Sequence, residues 1–124
     1  MAADGREFEA MQMQLAVKDL TGKGASLVEV SGQIHLLEAR ELEQRLEEVL
    51  NNDRPNIVLD ITDVSFIASD GLGVLIKIRG DARRGGGTLR IVEPPEPVLG
   101  VFRTTRLTKL FDIYPSQEEA VAGL

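Results

Sequence analysis

A chain of 124 residues suits one domain that buries about two-thirds of its unfolded surface, and its lack of cysteine excludes disulfides, thiolate zinc sites and cysteine nucleophiles. A single histidine, His35, excludes a multi-histidine metal centre, and a formal net charge of -6 is the wrong sign for a phosphate-binding surface, which needs clustered Lys and Arg. No stretch approaches the roughly 18 apolar residues of a membrane span and no basic start leads into an apolar run, so the expected location is the cytoplasm.

Residues 1–9 have no apolar period and read as a flexible leader to a single domain over 10–124. Met11, Met13, Leu15 and Val17 then alternate with Gln12, Gln14, Ala16 and Lys18, the period of a half-buried strand. Thr21-Gly22-Lys23-Gly24 turns the chain into a second strand, Ser26 to Val30, making a hairpin. The Gly22-Lys23 pair is no P-loop, because that motif needs Gly five residues before the pair and Ser or Thr after it, where this chain has Val17 and Gly24. Ser31 to His35 leads into a helix with Ala39, Leu42, Leu46, Val49 and Leu50 on its core face. Glu38, Glu41, Glu43, Glu47 and Glu48 are assigned to the other face, with Glu41 one turn before Arg45. Asn51 to Pro55 ends the helix, Pro55 disfavouring helix at Arg54.

The central stretch runs from Asn56 to Val74. Ile57, Val58, Leu59 and Ile61 form the apolar run of a strand covered on both faces. Phe66 and Ile67 anchor the connection, and Ser69 or Asp70 caps the next helix, whose first-turn amides Gly71 and Gly73 leave unshielded. Leu72, Leu75, Ile76 and Ala82 mark that helix's buried side, and Gly85-Gly86-Gly87 terminates it. Lys77, Arg79, Arg83 and Arg84 lie toward its C-terminal half, where cations suit the dipole. Thr88 to Val92 is a further strand. Pro94, Pro95 and Pro97 stiffen the link to a short helix with Val98, Val101 and Phe102 inward, broken by Thr104 and Thr105. Leu107, Leu110, Phe111 and Ile113 read as a short helix and then an extended segment, and Ser116 and Glu119 have capping-box spacing at the start of a terminal helix. The predicted class is α/β, with a mixed sheet of four to five strands and about four helices packed against it.

Leu59-Asp60, Val64-Ser65-Phe66-Ile67, Ser69, Gly71-Leu72-Gly73 and Leu75 together resemble the signature of bacterial anti-sigma factor antagonists, the STAS-domain proteins, and the likeness extends over about residues 11–121. The resemblance implies a STAS fold and a binding partner that is both anti-sigma factor and serine kinase. In that family the residue before the first glycine of this motif is usually a serine or threonine whose phosphorylation releases the partner; here it is Asp70. The carboxylate reads either as a helix-start charge worth about 0.3 to 1 kcal/mol or as a built-in substitute for the phosphorylated residue. The substitution is incomplete, at charge -1 against about -1.5 to -2 for phosphate. Ser69 reads as an N-cap hydroxyl or as an alternative phosphosite. His35 stands where the family usually has an acid, and reads as an exposed loop residue or as an imidazole paired with Asp70. Ala68 replaces another common family acid.

The expected function is therefore a non-enzymatic binding module that controls transcription through an anti-sigma factor, with a contact surface of His35, Ser69, Asp70, Gly71 and Leu72. It needs no cofactor or metal, touches neither nucleic acid nor membrane, and is a monomer or weak homodimer. A STAS scaffold subunit in a larger sensory complex is the alternative. A nucleotide-binding or hydrolysing domain lacks a P-loop, a metal cluster and a nucleophile with a histidine base. A phosphoacceptor receiver could use Asp60, but Lys18-Asp19-Leu20 supplies no acidic pair for magnesium.

Overall fold

The computed structural model describes residues 12–20, 22–52 and 55–124. The expected leader over residues 1–9, together with Met11, Thr21, Asp53 and Arg54, lies outside the described residues.

Strands β1 (Met13–Leu20) and β2 (Ala25–Ile34) form the antiparallel hairpin, followed by α1 (Leu36–Leu50), β3 (Asn56–Ile67) and α2 (Ser69–Arg84). Then come β4 (Leu89–Val92), α3 (Val98–Thr104), a 3-10 turn at Leu107–Lys109, β5 (Asp112–Tyr114) and α4 (Gln117–Val121). The five strands lie in sequence order, and β2 through β5 are parallel. Crossovers that always advance in one direction with one hand place their helices on one face. Accordingly α1, α2 and α3 cover a large core that includes Val28, Ile34, Leu42, Leu46, Leu59, Ile78, Ile91 and Phe102. On the opposite face α4 covers a smaller cluster of Leu27, Val58, Val92 and Ala120. Leu42 and Leu46 are fully enclosed, each burial being worth about 1.5 to 3 kcal/mol.

β3 runs further than its alternation predicts. Ile57, Leu59 and Ile61 face the large core at two-residue steps, and then Val64 and Ile67 follow at three-residue steps. Register shifts against β2, between Glu29 and Ser31 and again between Gly32 and Gln33, insert the extra residues. Each such irregularity leaves one residue unpaired and rotates the next inward position along the strand.

The ends of α2 and α4 follow their sequence signals. Gly86, with φ +87°, ends α2 in a left-handed residue, with Gly87 N donating to Ala82 O at 2.8 Å and Gly86 N to Arg83 O at 3.0 Å. Ser116 Oγ caps α4 by accepting from Glu119 N at 3.1 Å. Two assignments change. Ile76 is 44% exposed because Val74 and Ile78 take the inward positions, and Glu38 is buried among the core residues rather than on the solvent face of α1.

Arg106, ahead of the 3-10 turn, has φ +62°, a conformation that costs an L-residue about 1 to 2 kcal/mol. Arg106→Gly should raise the unfolding free energy by about 0.5 to 1 kcal/mol, glycine's unfolded-state entropy taking back part of the gain. Urea titration measures this, and a loss of stability would show that the arginine side chain compensates its own strain.

Candidate functional site

Parallel strands β2 and β3 deliver their carboxyl ends to one edge of the sheet, where open α/β folds place exposed functional groups. The helices that follow both begin there, and Ala68 N donates to Ile34 O at 2.8 Å, tying the two helix starts together.

His35 is the N-cap residue of α1 and is exposed. Its Nε2 lies 2.9 Å from Gln33 Oε1, and its ring stacks on Phe66 with centroids 4.6 Å apart and planes 28° apart. Phe66 is 43% exposed, so the connection is anchored by the buried Ile67 and Phe66 instead supports the histidine. The anticipated pairing of His35 with Asp70 does not form. Gln33 and Phe66 hold the ring, and Asp70 makes no hydrogen bond or ion pair with any described residue.

Ala68, not Ser69 or Asp70, is the N-cap of α2, and no side chain caps the helix. The strand persists to Ile67, so helix begins immediately after Ala68, whose carbonyl accepts from Gly71 N at 2.9 Å and Leu72 N at 3.2 Å. Ser69 and Asp70 are consequently the first two helical residues, both exposed, with the carboxylate at the positive end of the helix dipole.

Gly71 and Leu72 lie beneath this surface. A Cβ on Gly71 would fall 2.8 Å from Ile67 Cγ1 and 2.9 Å from Ile34 Cγ2, so the absent side chain seats the helix start on the strand ends. Its amide is used within the turn and is not presented to a ligand. Leu72, 8% exposed, belongs to the large core. Of the five candidate contact residues, His35, Ser69 and Asp70 reach solvent.

Beside them lies a surface that residue spacing does not reveal. Leu36 and Leu37 are about half exposed, and with Phe66 and Ile76 they make four of the five exposed large apolar side chains among the described residues. Between α1 and α2 runs a cleft of about 370 Å3 lined by Leu36, Arg40, Glu43, Asp70, Gly73 and Lys77, among others. Lys77 bonds Glu47, and its Nζ lies 3.3 Å from Glu43 and 3.3 Å from Asp81. Glu47 first, then the other two carboxylates, hold the ammonium well above the usual lysine range. Leu36 and Leu37 precede the stripe of Ala39, Leu42 and Leu46, so their exposure has no periodic signal.

Asp60 does not sit at a strand end. It is buried in mid-β3 on the α4 face, where Oδ1 accepts from Thr62 N at 2.9 Å and Thr62 Oγ1 at 2.7 Å while Gln117 Nε2 donates to Oδ2. Among the described residues no three His, Asp or Glu side chains converge as a metal site requires, and no helix is long and apolar enough to cross a membrane.

The family model described as STAS domain matches residues 16–120. A Thermotoga maritima protein provisionally named as an anti-sigma factor antagonist is 35% identical over 75 residues, which cover 60% of this chain and 66%, just under two thirds, of that relative. The anti-sigma-B factor antagonist of Bacillus subtilis is 28% identical over 94 residues, 76% of this chain and 85% of the relative. Among solved structures, an anti-sigma factor antagonist from Mycobacterium paratuberculosis superimposes with a TM-score of 0.79 at 29% identity, covering 88% of this chain and 91% of that one.

Proposed function

Because this chain belongs to the STAS domain family, we propose that it is an anti-sigma factor antagonist, a cytoplasmic binding module without catalytic chemistry that frees a sigma factor by engaging its anti-sigma factor. The engaging surface is the edge formed by His35, Ser69, Asp70 and the exposed leucines at the start of α1. The observation that carries this reading is Asp70 itself: an exposed carboxylate, unpartnered within the described residues, on the first turn of α2. It serves the fold weakly, through the dipole alone. Its free negative charge acts as a fixed substitute for a phosphorylated residue and holds the module in its low-affinity state.

The test is a titration of the host's purified anti-sigma factor with the wild-type chain and with Asp70→Ser. The serine variant should bind at least about tenfold more tightly, or about 1.4 kcal/mol. Equal or tighter binding by wild type would mean that the partner's surface accepts the carboxylate and that the module is active as it stands. In the same mixtures with ATP, a kinase partner should add one phosphate to Asp70→Ser and none to wild type. Ser69, whose hydroxyl is not engaged as a cap, is the other candidate acceptor. A phosphate on wild type that Ser69→Ala removes would move the switch to that residue.

A further inference from the structure

The four charged side chains lining the α1–α2 cleft are not equivalent. Glu43 and Lys77 face each other across it at 3.3 Å, and Glu47 and Asp81 share the same ammonium. Arg40 and Asp70 line the same cleft, and neither makes an ion pair or hydrogen bond with any described residue. A free cation on the α1 wall and a free anion on the α2 wall therefore act together on whatever enters.

Gly73 lines the same cleft on the α2 wall, three residues on from Asp70. It is exposed, and a Cβ built on it would meet nothing within 4 Å, so the packing of this chain does not require glycine there. Apart from proline, glycine is the least favourable residue in a helix. What its missing side chain permits is close approach of another backbone. Leu36, 50% exposed, supplies an apolar contact on the same cleft. Both walls are helices, and beyond their first turns their backbone groups are already bonded within the helix. An extended segment laid between them would leave its own amides without partners, whereas a helix arrives with its hydrogen bonds made.

Resting on the reading of this edge as the anti-sigma contact, we propose that the cleft receives a helix of the anti-sigma factor that crosses closely over Gly73 and presents a carboxylate to Arg40. With the charge at position 70 removed, Arg40 is the one charged group lining the cleft that has no partner among the described residues, and it selects an acidic side chain. The same carboxylate explains how a negative charge at position 70 weakens the complex: Arg40 attracts the incoming acid and Asp70 repels it. Charge on α2 thus gates a contact made by α1.

The experiment uses the full chain carrying Asp70→Ser, with the host's purified anti-sigma factor as the probe and calorimetric titration as the readout. Adding Arg40→Glu should weaken binding by about thirtyfold or more, whereas Arg40→Lys should retain most of it. Adding Gly73→Leu should weaken binding by about tenfold or more while leaving the melting temperature unchanged or raised, since position 73 is exposed, a Cβ there meets no atom within 4 Å and leucine is the better helix former. If Asp70→Ser binds the factor and neither addition weakens it, the cleft is not the docking site although the functional reading stands. If neither wild type nor Asp70→Ser binds any anti-sigma factor of the host, the functional reading fails and this inference with it. A homodimer that Gly73→Leu dissolves would instead assign the cleft to a second copy of the chain and overturn the proposal.

Discussion

Replacing Glu38 with alanine should lower the unfolding free energy by about 3 kcal/mol, because one buried carboxylate holds two separate backbone segments. Glu38 is 2% exposed; Oε1 accepts from His35 N at 3.1 Å and Oε2 from Gln12 N at 2.8 Å. The first bond satisfies an amide at the start of α1, and the second grips the residue that leads into β1. Gln12 is held on its other side as well, its carbonyl accepting from Gln33 N at 2.7 Å. Alanine would leave both part-buried amides without their protein acceptor. Glu38→Gln, which keeps one accepting oxygen and loses the charge, should fall about midway. Urea titrations with unchanged m-values would measure both, and a loss below about 1 kcal/mol for Glu38→Ala would refute the bridging role.

The same geometry sets a pH dependence. Burial alone would raise the Glu38 pKa, but the backbone amides of Gln12, of Glu38 itself and of His35 together outweigh it and hold the carboxyl below the ordinary glutamate value. Glu29 is held low as well, first by the Gln117 side chain and then by Lys18. A carboxyl depressed in the folded state contributes stability that is complete above its unfolded pKa, about 4.3. That contribution is lost as pH falls through the depressed folded value. Wild type should therefore lose stability on acidification, and Glu38→Gln should lose less over the same interval.

Most of the element order is legible in the residues, because the hairpin, α1, α2 and the capped α4 each follow one period closed by strong terminal signals. The last third of β3 is not. Its inward residues Ile61, Val64 and Ile67 are spaced by three, which reads as a loop until the two register shifts against β2 are known. From that the candidate site inherits its displacement. Once the strand persists to Ile67, Ala68 becomes the cap, Ser69 loses the capping role, and Gly71 and Leu72 turn into the core. Glu38 was illegible for a different reason: five glutamates on one helix look alike in sequence. Only the return of Gln12 and His35 to the same carboxylate distinguishes the buried one. The exposed position of Asp70 was readable from the motif. The absence of a partner for it was not, since that depends on Gln33 and Phe66 having taken His35.

Gly71→Ala and Gly73→Ala, two residues apart on one helix, should move stability in opposite directions. Propensity alone favours both, by about 1 kcal/mol each in a helix interior. At Gly73 nothing opposes the gain, because the added carbon meets open space. At Gly71 the carbon would lie 2.8 Å from Ile67 Cγ1 and 2.9 Å from Ile34 Cγ2. Both isoleucines are buried, 5% and 0% exposed, and neither contacted atom is the free end of a long side chain. Either the isoleucines leave their rotamers or the first turn of α2 lifts from the strand ends, and overpacking of this kind costs about 1 to 3 kcal/mol. The net expectation is a loss of about 1 to 2 kcal/mol for Gly71→Ala against a gain of about 1 kcal/mol for Gly73→Ala. Lifting the turn also shifts Ser69 and Asp70, which ride on it. In the Asp70→Ser background, Gly71→Ala should therefore weaken anti-sigma binding even where the chain stays fully folded. Equal stability changes at the two glycines would show that α2 is not seated on the sheet through Gly71, and that the position of Asp70 is set elsewhere.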